Sequence, residues 1–380
     1  MMVERARLSP SHSEIDTKLK RLAELLDRNS ASVLALSRHG NIAWITAGQV
    51  EARVGLGSET AVCQLVVRRD GKKYYLAPNN EAARLADEEF AGLGYEPVIY
   101  PWDEGPGNRL HELACGGAIC ADTVIPDAKT VDLTALRTPL LAEEVERLCT
   151  LGKQTAEATV EVLEGLQPGV TEREMAGRVS ESLWKRGIAP SVLLMGTDER
   201  IFKYKHAAPR AGVLDRYGMV NLCARRWGLV VSITRFVHFG TPEAELVKAF
   251  EAAARIHAAM LHATKDGVVS SEIFAAAQRA YAAAGAAGEI ERHHQGGPCG
   301  YAERDWLVTP CGIEHVTAPQ AFAYNPSLHG AKAEDTVVLA DGKIKVVTET
   351  PQLPVLECVV DGISYRSAGL LVRDTLWNSR

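Results

Sequence analysis

The sequence lacks several features that would assign it to a particular class of protein. It has no apolar run near the roughly 20 residues that a membrane-spanning helix needs, and its polar N-terminus is not typical of a signal peptide. It has no block of lysine and arginine, and its net charge is -6, so we expect neither nucleic acid nor a membrane surface as a partner. No repeat of roughly 20–50 residues is visible, which excludes a solenoid.

Cysteines are present, but they form no recognisable motif. The eight cysteines are scattered, and none forms a C-x-x-C pair, so the sequence offers no zinc knuckle and no redox motif. The apolar share of 46% and the charged share of 24% are those of an ordinary soluble globular protein. We therefore expect reduced thiols and a cytoplasmic protein.

The length of 380 residues is enough for two domains. Short apolar runs alternate with helical patterns over the first 140 residues or so, which predicts a compact α/β domain. Thr138-Pro139 then precedes a long helical pattern and is the best candidate boundary. We predict an N-terminal domain over residues 1–139 and a C-terminal domain over residues 140–380.

Local signals place several elements within these domains. Ser13 can cap an amphipathic helix, and Asp70-Gly71 lies between two strand-like runs and predicts a hairpin. Thr171 and Glu174 form a capping box at the start of a helix. The predicted helices are 13–28, 80–93, 142–166, 171–185, 243–263 and 271–284, and short apolar runs, which we take as strands, include 32–36, 42–46, 61–67 and 73–77.

The stretch from Gly218 to Gly240, GMVNLCARRWGLVVSITRFVHFG, predicts a buried hairpin. Apolar residues precede a turn at Arg225 and Arg226, and a β-rich run follows from Leu229 to Phe239. Side chains alternate between the two faces of a strand, so residues 232, 234, 236 and 238 should share one face.

This hairpin resembles that of the pita-bread metallopeptidases of peptidase family M24, which include methionine aminopeptidase, prolidase and aminopeptidase P. Their pattern is close to D-x-G-x-x-x-x-G-Y-x-S-D-I-T-R-T, and the sequence matches it at Gly228, at Ile233-Thr234-Arg235 and at Gly240. Further matches follow in the family's order: QPGVTERE, KHAAP at 205–209, HHQGG at 293–297, FAYNP at 322–326 and GAKAEDT at 330–336. In the N-terminal domain, AWITAG at 43–48 is similar to the smaller domain of creatinase and prolidase.

The resemblance implies an α+β pita-bread C-terminal domain and a smaller α/β creatinase-like N-terminal domain. It also shows where the sequence departs from the family. The two aspartates and one glutamate that bind metal in the family are replaced by Asn221, Ser232 and Asn325, whereas His294 and Glu334 match the family's histidine and second glutamate. Two divalent cations need several carboxylates to offset their charge. We therefore expect no metal centre and no other cofactor.

Creatinase is the branch of the family that works without metal, on a C–N bond of a small guanidino acid. The resemblance to that branch implies that His206, in the H-x-x-P segment, acts as general base and then as general acid. A histidine suits both roles because its unperturbed pKa lies near 6.5. Glu334 would orient an N–H group or a water, and His294 would complete the catalytic set.

Other residues are candidates for binding the substrate. Tyr301 and Arg304 follow a glycine turn and could hold a carboxylate, since arginine offers a planar bidentate fork. His238 shares the predicted face of Ser232. The resemblance also implies a homodimer in which Arg53 reaches the partner's cleft. The predicted substrate-binding set is Asn221, Ser232, Asn325, Tyr301, Arg304, His238 and Arg53.

The leading hypothesis is a metal-independent hydrolase or lyase that cleaves a C–N bond of a small zwitterionic amino-acid derivative. Three alternatives remain open: a mono-metal Xaa-Pro-type peptidase that uses His294 and Glu334, a non-hydrolytic biosynthetic enzyme on the same pocket, and a non-catalytic binding module. A nucleophilic Cys299 beside His294 is also conceivable.

Overall fold

The computed structural model describes residues 12–374 of the chain. The chain divides into two compact units, one formed by Met1–Glu144 with Trp227–Leu229 and the other by Val145–Arg226 with Val230–Arg380. Within residues 12–374, no helix is both long enough and apolar enough to cross a membrane.

The first unit is an α/β layer structure. Its elements are α1 (His12–Arg28), β1 (Ala31–Arg38), α2 (His39–Ile45), β2 (Thr60–Arg68), β3 (Lys73–Pro78), α3 (Ala82–Arg84), β4 (Glu96–Tyr100), α4 (Arg109–Ala114), β5 (Ala118–Ala121), β6 (Ala128–Thr130) and α5 (Thr134–Arg137).

These strands form one six-stranded sheet in the order β4-β3-β2-β1-β5-β6. The pairs β1–β2 and β2–β3 are antiparallel, and the pairs β3–β4, β1–β5 and β5–β6 are parallel. Buried Val33, Val66, Leu76 and Ile119 from four of the strands pack with Leu110 of α4. The Asp70-Gly71 turn joins β2 to β3 as predicted, with Gly71 at a φ of 86°.

Two local predictions in this unit were wrong. The apolar run 42–46 lies mostly in helix α2, where every residue from His39 to Ile45 is buried. A continuous apolar run has no period that separates a buried strand from a buried helix. The predicted helix 80–93 is much shorter, because α3 is followed only by a π-helical turn at Leu85–Glu89.

The second unit is α+β. From residue 142 onward the elements are α6 (Ala142–Gly165), α7 (Glu172–Trp184), β7 (Ala189–Thr197), α8 (Glu199–Lys203), β8 (Tyr217–Arg226), β9 (Leu229–Phe239), α9 (Ala244–Ala263), α10 (Ser270–Ala283), a 3-10 turn (Ala287–Arg292), β10 (Gly296–Cys299), β11 (Gln320–Tyr324), β12 (Ser327–Leu328), β13 (Ala331–Lys332), β14 (Asp335–Ala340), β15 (Lys343–Val346), β16 (Val355–Val360), β17 (Ile363–Ala368) and β18 (Leu371–Arg373).

Two four-stranded sheets organise this unit, in the orders β18-β9-β8-β7 and β10-β11-β14-β15. The second sheet is antiparallel throughout, and Tyr324 pairs with both Gly296 and Asp335 across it. Every residue of β9 is buried, and nearly every residue of β8 is. The helices α9 and α10 pack their buried residues, including Ile256, Met260 and Tyr281, against Phe322 and Val337 of the second sheet.

Candidate active site

The hairpin of β8 and β9 places three small polar side chains together in the second unit. Asn221 lies on β8 opposite Leu194 of β7, and Ser232 and Thr234 lie on β9. All three are buried. The amide nitrogen of Asn221 contacts the Thr234 hydroxyl and lies 2.5 Å from Oε2 of Glu334. Ser232 and Thr234 thus lie on the same face of β9, in agreement with the predicted alternation of side chains along this strand.

Glu334 is hydrogen-bonded through both of its oxygens. Oε2 accepts from the Asn221 amide and from the Thr234 hydroxyl, and Oε1 lies 3.2 Å from an Arg304 nitrogen. Another nitrogen of the same guanidinium donates to Ser232 Oγ at 3.0 Å. The side chain of Glu334 is 4% exposed and that of Arg304 is 13% exposed, so water screens the attraction between the two charges only weakly. A carboxylate engaged through both oxygens holds its neighbours in position.

Three histidines cluster in the same unit. One nitrogen from each of His206, His293 and His294 lies within 4.8 Å of the others. Nε2 of His293 is 3.0 Å from Nε2 of His206, and Nδ1 of His294 accepts a hydrogen bond from the Gly296 amide at 3.2 Å. His293 went unassigned in the sequence because the family motif contains a single histidine at this point. The only sequence feature that pointed to His293 was its position next to another histidine, His294.

All three imidazoles are held in the neutral form at pH 7. Burial, followed by the positive charge of Lys332, lowers the pKa of His293 to about 2. His206 and His294 are exposed, but the surrounding protein still removes part of their water; this desolvation and the neighbouring Arg304 lower the pKa of His294 to about 4. Desolvation and Lys332 also lower the pKa of His206, and Glu334 partly opposes that effect. A neutral His206 keeps one unprotonated ring nitrogen, which a general base needs.

Two further polar groups near these residues are incompletely satisfied. Lys332 is 5% exposed, and its ammonium makes one long contact of 3.5 Å, to the Lys205 carbonyl. Burial lowers the pKa of Lys332. The backbone of Asn325 donates to the Gln295 carbonyl, but within the described part of the chain the side-chain oxygen of Asn325 has no hydrogen-bond partner. Buried polar atoms without partners are uncommon and suggest a place where a ligand binds.

A buried glutamate holds the segment that carries His206. Glu172 is fully buried at the start of α7, between Thr171 and Glu174 of the predicted capping box, which the structure contains. Its Oε1 accepts from the Thr197 amide at 3.1 Å and from Arg200 Nε at 2.7 Å, and its Oε2 accepts from the Arg210 amide at 2.8 Å. Glu172 therefore fixes both ends of the 197–210 segment. The sequence pattern indicated the cap but not this second role.

His238, Tyr301 and Arg53 complete the predicted set of site residues. His238 lines a cavity of about 860 Å³ together with Tyr217 and Leu246, and its Nδ1 bonds the Gly240 carbonyl. Tyr301 is buried. Arg53, in the first unit, makes two bonds of 2.8 Å to the Glu51 carboxylate. Burial raises the pKa of the Cys299 thiol to about 12, which keeps it protonated and argues against a nucleophilic thiolate.

The side chains at the positions of the family's metal ligands do not fit a pair of divalent cations. A ligand must turn a lone pair toward the metal, yet Asn221 turns its amide N–H groups toward Glu334. Ser232 Oγ accepts from Arg304, so a guanidinium cation already contacts two of the five positions. Only one carboxylate, Glu334, remains to offset added charge.

The three histidines are also poorly prepared to hold a metal ion. Because Nδ1 of neutral His294 accepts from Gly296, its proton is on Nε2, so that atom has no lone pair for a metal. A histidine ligand normally donates its other N–H to an acceptor. Within residues 12–374, however, Nδ1 of His293 has no partner. The cluster is therefore better described as hydrogen-bonded neutral imidazoles.

Comparison with known proteins gives consistent results for the whole chain. The model of metallopeptidase family M24 matches residues 146–341. The probable dipeptidase PepE of Mycobacterium tuberculosis is 25% identical over 334 residues, which cover 77% of this chain and 86% of that protein. Among solved structures, the dipeptidase PepE of Mycobacterium ulcerans superposes with a TM-score of 0.73 at 20% identity, covering 95% of this chain and 98% of that one. The prolidase of Pyrococcus horikoshii gives a TM-score of 0.74 at 16% identity, covering 88% and 98%.

Proposed function

Because the chain belongs to metallopeptidase family M24 and has its pita-bread fold, we propose that it hydrolyses a C–N bond of a small zwitterionic amino-acid derivative, with His206 as the acid/base and without a metal ion. One observation carries the metal-free part of this proposal. Asn221, at the position of a family metal ligand, directs its N–H groups to Glu334 and so presents donors where a metal would need acceptors.

His206 provides the proton chemistry. Its lowered pKa leaves it neutral at pH 7, so it can remove a proton from a water molecule as the water oxygen attacks the carbon of the scissile bond. Protonated His206 then returns that proton to the leaving nitrogen as the C–N bond breaks. Nε2 of His293, 3.0 Å away, donates to Nε2 of neutral His206, and this hydrogen bond breaks when His206 takes up the proton. His294 would donate from Nε2 to the oxygen that gains charge.

The charge around His206 supports a substrate that carries a carboxylate. Lys332 and Arg304 place positive charge beside the three histidines, as the depressed pKa values of His293 and His294 indicate. The unpartnered oxygen of Asn325 can accept from an ammonium or amide N–H. Anion-binding and N–H-accepting groups in one site favour a zwitterion. Tyr301, His238 and Ser232 remain proposed substrate contacts.

Dipeptides are the first zwitterions to test. The three similar proteins named above are a probable dipeptidase, a dipeptidase and a prolidase. A dipeptide contains a cleavable C–N bond between a free ammonium and a free carboxylate. Guanidino and N-acyl amino acids form the second group. Cleavage of dipeptides without metal would extend the same chemistry to a peptide bond.

Hydrolysis should be tested on a panel of dipeptides, N-acyl amino acids and guanidino acids, in the presence of EDTA, with release of amine as the readout. We expect turnover of at least one class, reduced about 10²- to 10⁴-fold in His206→Ala. The matched control is His315→Ala, since His315 is exposed and bonds only the Gly267 carbonyl in the described chain. Turnover that requires added Mn²⁺ or Co²⁺ would instead favour a residual metallopeptidase using His294 and Glu334. Binding of a panel compound without turnover would favour a non-catalytic module.

We also propose a homodimer, as the resemblance to creatinase implies, with Arg53 as the residue that contributes to the partner's cleft. The Arg53 guanidinium is bound by Glu51 at 2.8 Å, so in a dimer it would have to act as part of an Arg–Glu pair. Light scattering during size-exclusion chromatography measures the mass directly. A monomer at micromolar concentration would contradict this proposal and leave the chemistry of His206 untouched.

A further inference from the structure

We propose that the guanidinium of Arg304 takes the place of a metal ion, supplying the site with a built-in positive charge and excluding divalent cations. The inference rests on the proposed metal-independent function in one respect, since it explains why the protein needs no metal. It goes beyond that function by assigning the role to one side chain. It also differs from the role that the sequence suggested for Arg304, which was to bind the carboxylate of the substrate.

The contacts of Arg304 carry the argument. Nη1 donates to Ser232 Oγ at 3.0 Å, and Nη2 lies 3.2 Å from Oε1 of Glu334. Ser232 stands at a position where the family has an aspartate ligand, and Glu334 matches a retained glutamate ligand. The guanidinium thus lies between two atoms that a metal ion at this place would have to contact.

The charge balance agrees with the contacts. Asn221, Ser232 and Asn325 remove three negative charges relative to the family pattern, and Glu334 alone remains. Arginine stays protonated under all ordinary conditions, so Arg304 and Glu334 neutralise each other. Lys332 adds further positive charge nearby, as its effect on His293 and His206 shows. A divalent cation would enter a site that already lacks excess negative charge.

The geometry also explains how Arg304 is kept in place. Nη1 makes a second bond, to the carbonyl of Glu303, and the side chain of Glu303 pairs with Arg225 at 2.9 Å. The side chain of Arg225 is 2% exposed. Residues 303 and 304 are therefore held by two contacts, the bond from Arg304 to the Glu303 carbonyl and the pair of Glu303 with Arg225. A guanidinium held at several points is a fixed charge, unlike a mobile surface arginine.

A set of four proteins tests this role through the binding of Mn²⁺, measured by the loss of the electron paramagnetic resonance signal of the free ion. The set is the unmodified protein, Ser232→Asp, Arg304→Met and the double variant. We expect no stoichiometric binding by the unmodified protein. We expect little gain in Ser232→Asp, because the new carboxylate will pair with Arg304. The double variant should bind one Mn²⁺ at least about 100-fold more tightly than either single variant, a strongly non-additive result.

The matched control is Ser232→Asp combined with Arg147→Met, which also removes a buried arginine, on helix α6, but not one at a ligand position. This control should bind no more tightly than Ser232→Asp alone. Equal Mn²⁺ affinity in Ser232→Asp and in the double variant would overturn the role of Arg304. Circular dichroism checks folding, and Arg304→Gln replaces Arg304→Met if the latter does not fold. Tight Mn²⁺ binding by the unmodified protein would instead overturn the metal-free function itself, so the two failures are distinguishable.

Discussion

Nε2 of His293 lies 3.0 Å from Nε2 of His206, so the two imidazoles share one proton between them. Within residues 12–374, Nδ1 of His293 is buried and has no acceptor. A buried lone pair without a partner costs less than a buried N–H without one, so in the resting state His293 carries its proton on Nε2 and donates to His206. His206 then carries its own proton on Nδ1.

Desolvation lowers the pKa values of His206 and His293, and the charge of Lys332 lowers them further. We expect Lys332→Met to raise the pKa of His206, because it removes a positive charge that disfavours the imidazolium. The titration of the His206 ring, followed by NMR, should shift to higher pH. Lys203→Met is the control, since Lys203 is exposed and pairs with Glu199 on the surface. A midpoint that does not move in Lys332→Met would show that desolvation alone lowers the pKa of His206.

The stability of the protein should fall as the pH is lowered from about 7 to 4. His293 has a pKa of about 2 in the folded protein, whereas an unfolded histidine titrates near 6.5. Between these values the unfolded chain binds the extra proton, so the free energy of unfolding decreases by up to about 1.4 kcal/mol per pH unit for this group. This stabilisation is complete above pH ~6.5 and is lost on acidification. Urea denaturation at a series of pH values should show a flatter profile for His293→Asn than for the control His315→Asn; equal slopes would contradict the account.

The ion pair beneath the site should contribute strongly to stability. Arg235 and Asp335 are 2% and 3% exposed and lie 2.5 Å apart, and Thr348 also donates to Asp335. Asp335→Asn leaves a buried guanidinium uncompensated, which should lower the free energy of unfolding by about 3–5 kcal/mol. Glu349→Gln removes a comparable pair with Arg366 that is about half exposed and should cost at most about 1 kcal/mol. Similar losses in these two variants, measured by chemical denaturation, would argue against the proposed difference.

Glu172 should influence the site without touching a substrate. Glu172→Ala removes the acceptor of Thr197, Arg200 and Arg210, and we expect a loss of at least about 2 kcal/mol in stability together with reduced turnover by a displaced His206. Glu174→Ala, two residues away, removes only the exposed half of the capping box and should cost about 1 kcal/mol. Glu172→Gln, which keeps an acceptor, should recover part of the turnover. Full activity in Glu172→Ala would show that the segment does not depend on this carboxylate.

Features set by neighbouring residues were predictable from the sequence. The capping box of Thr171 and Glu174 and the helices α1, α6, α9 and α10 depend on spacing alone, and their bounds agree with the structure within about two residues. The M24 family and its fold were recognisable because several weak motifs occur in one order. In the structure Asn221 donates to Glu334, and Arg304 bridges Ser232 and Glu334.

Features set by distant residues were not predictable. The role of Arg304 depends on partners 72 and 30 residues away in the sequence, and no local pattern encodes such pairings. His293 was missed because the side chains of consecutive residues normally point apart in an extended segment, yet the rings of His293 and His294 stack at 4.5 Å. The helix α2 was missed because its residues are uniformly buried and show no period.

The attachment of both ends of the 197–210 segment to Glu172 has a consequence for sequence variation in this protein. A segment held at both ends by one carboxylate has its position set at those ends, so exposed residues between them, other than His206, can change without moving it. Phe202, Lys203 and Tyr204 are exposed, and substitutions there can alter what approaches the site without shifting His206. The segment can therefore diversify in specificity while its chemistry stays fixed, provided that Glu172 and the backbone N–H groups that it accepts from are retained.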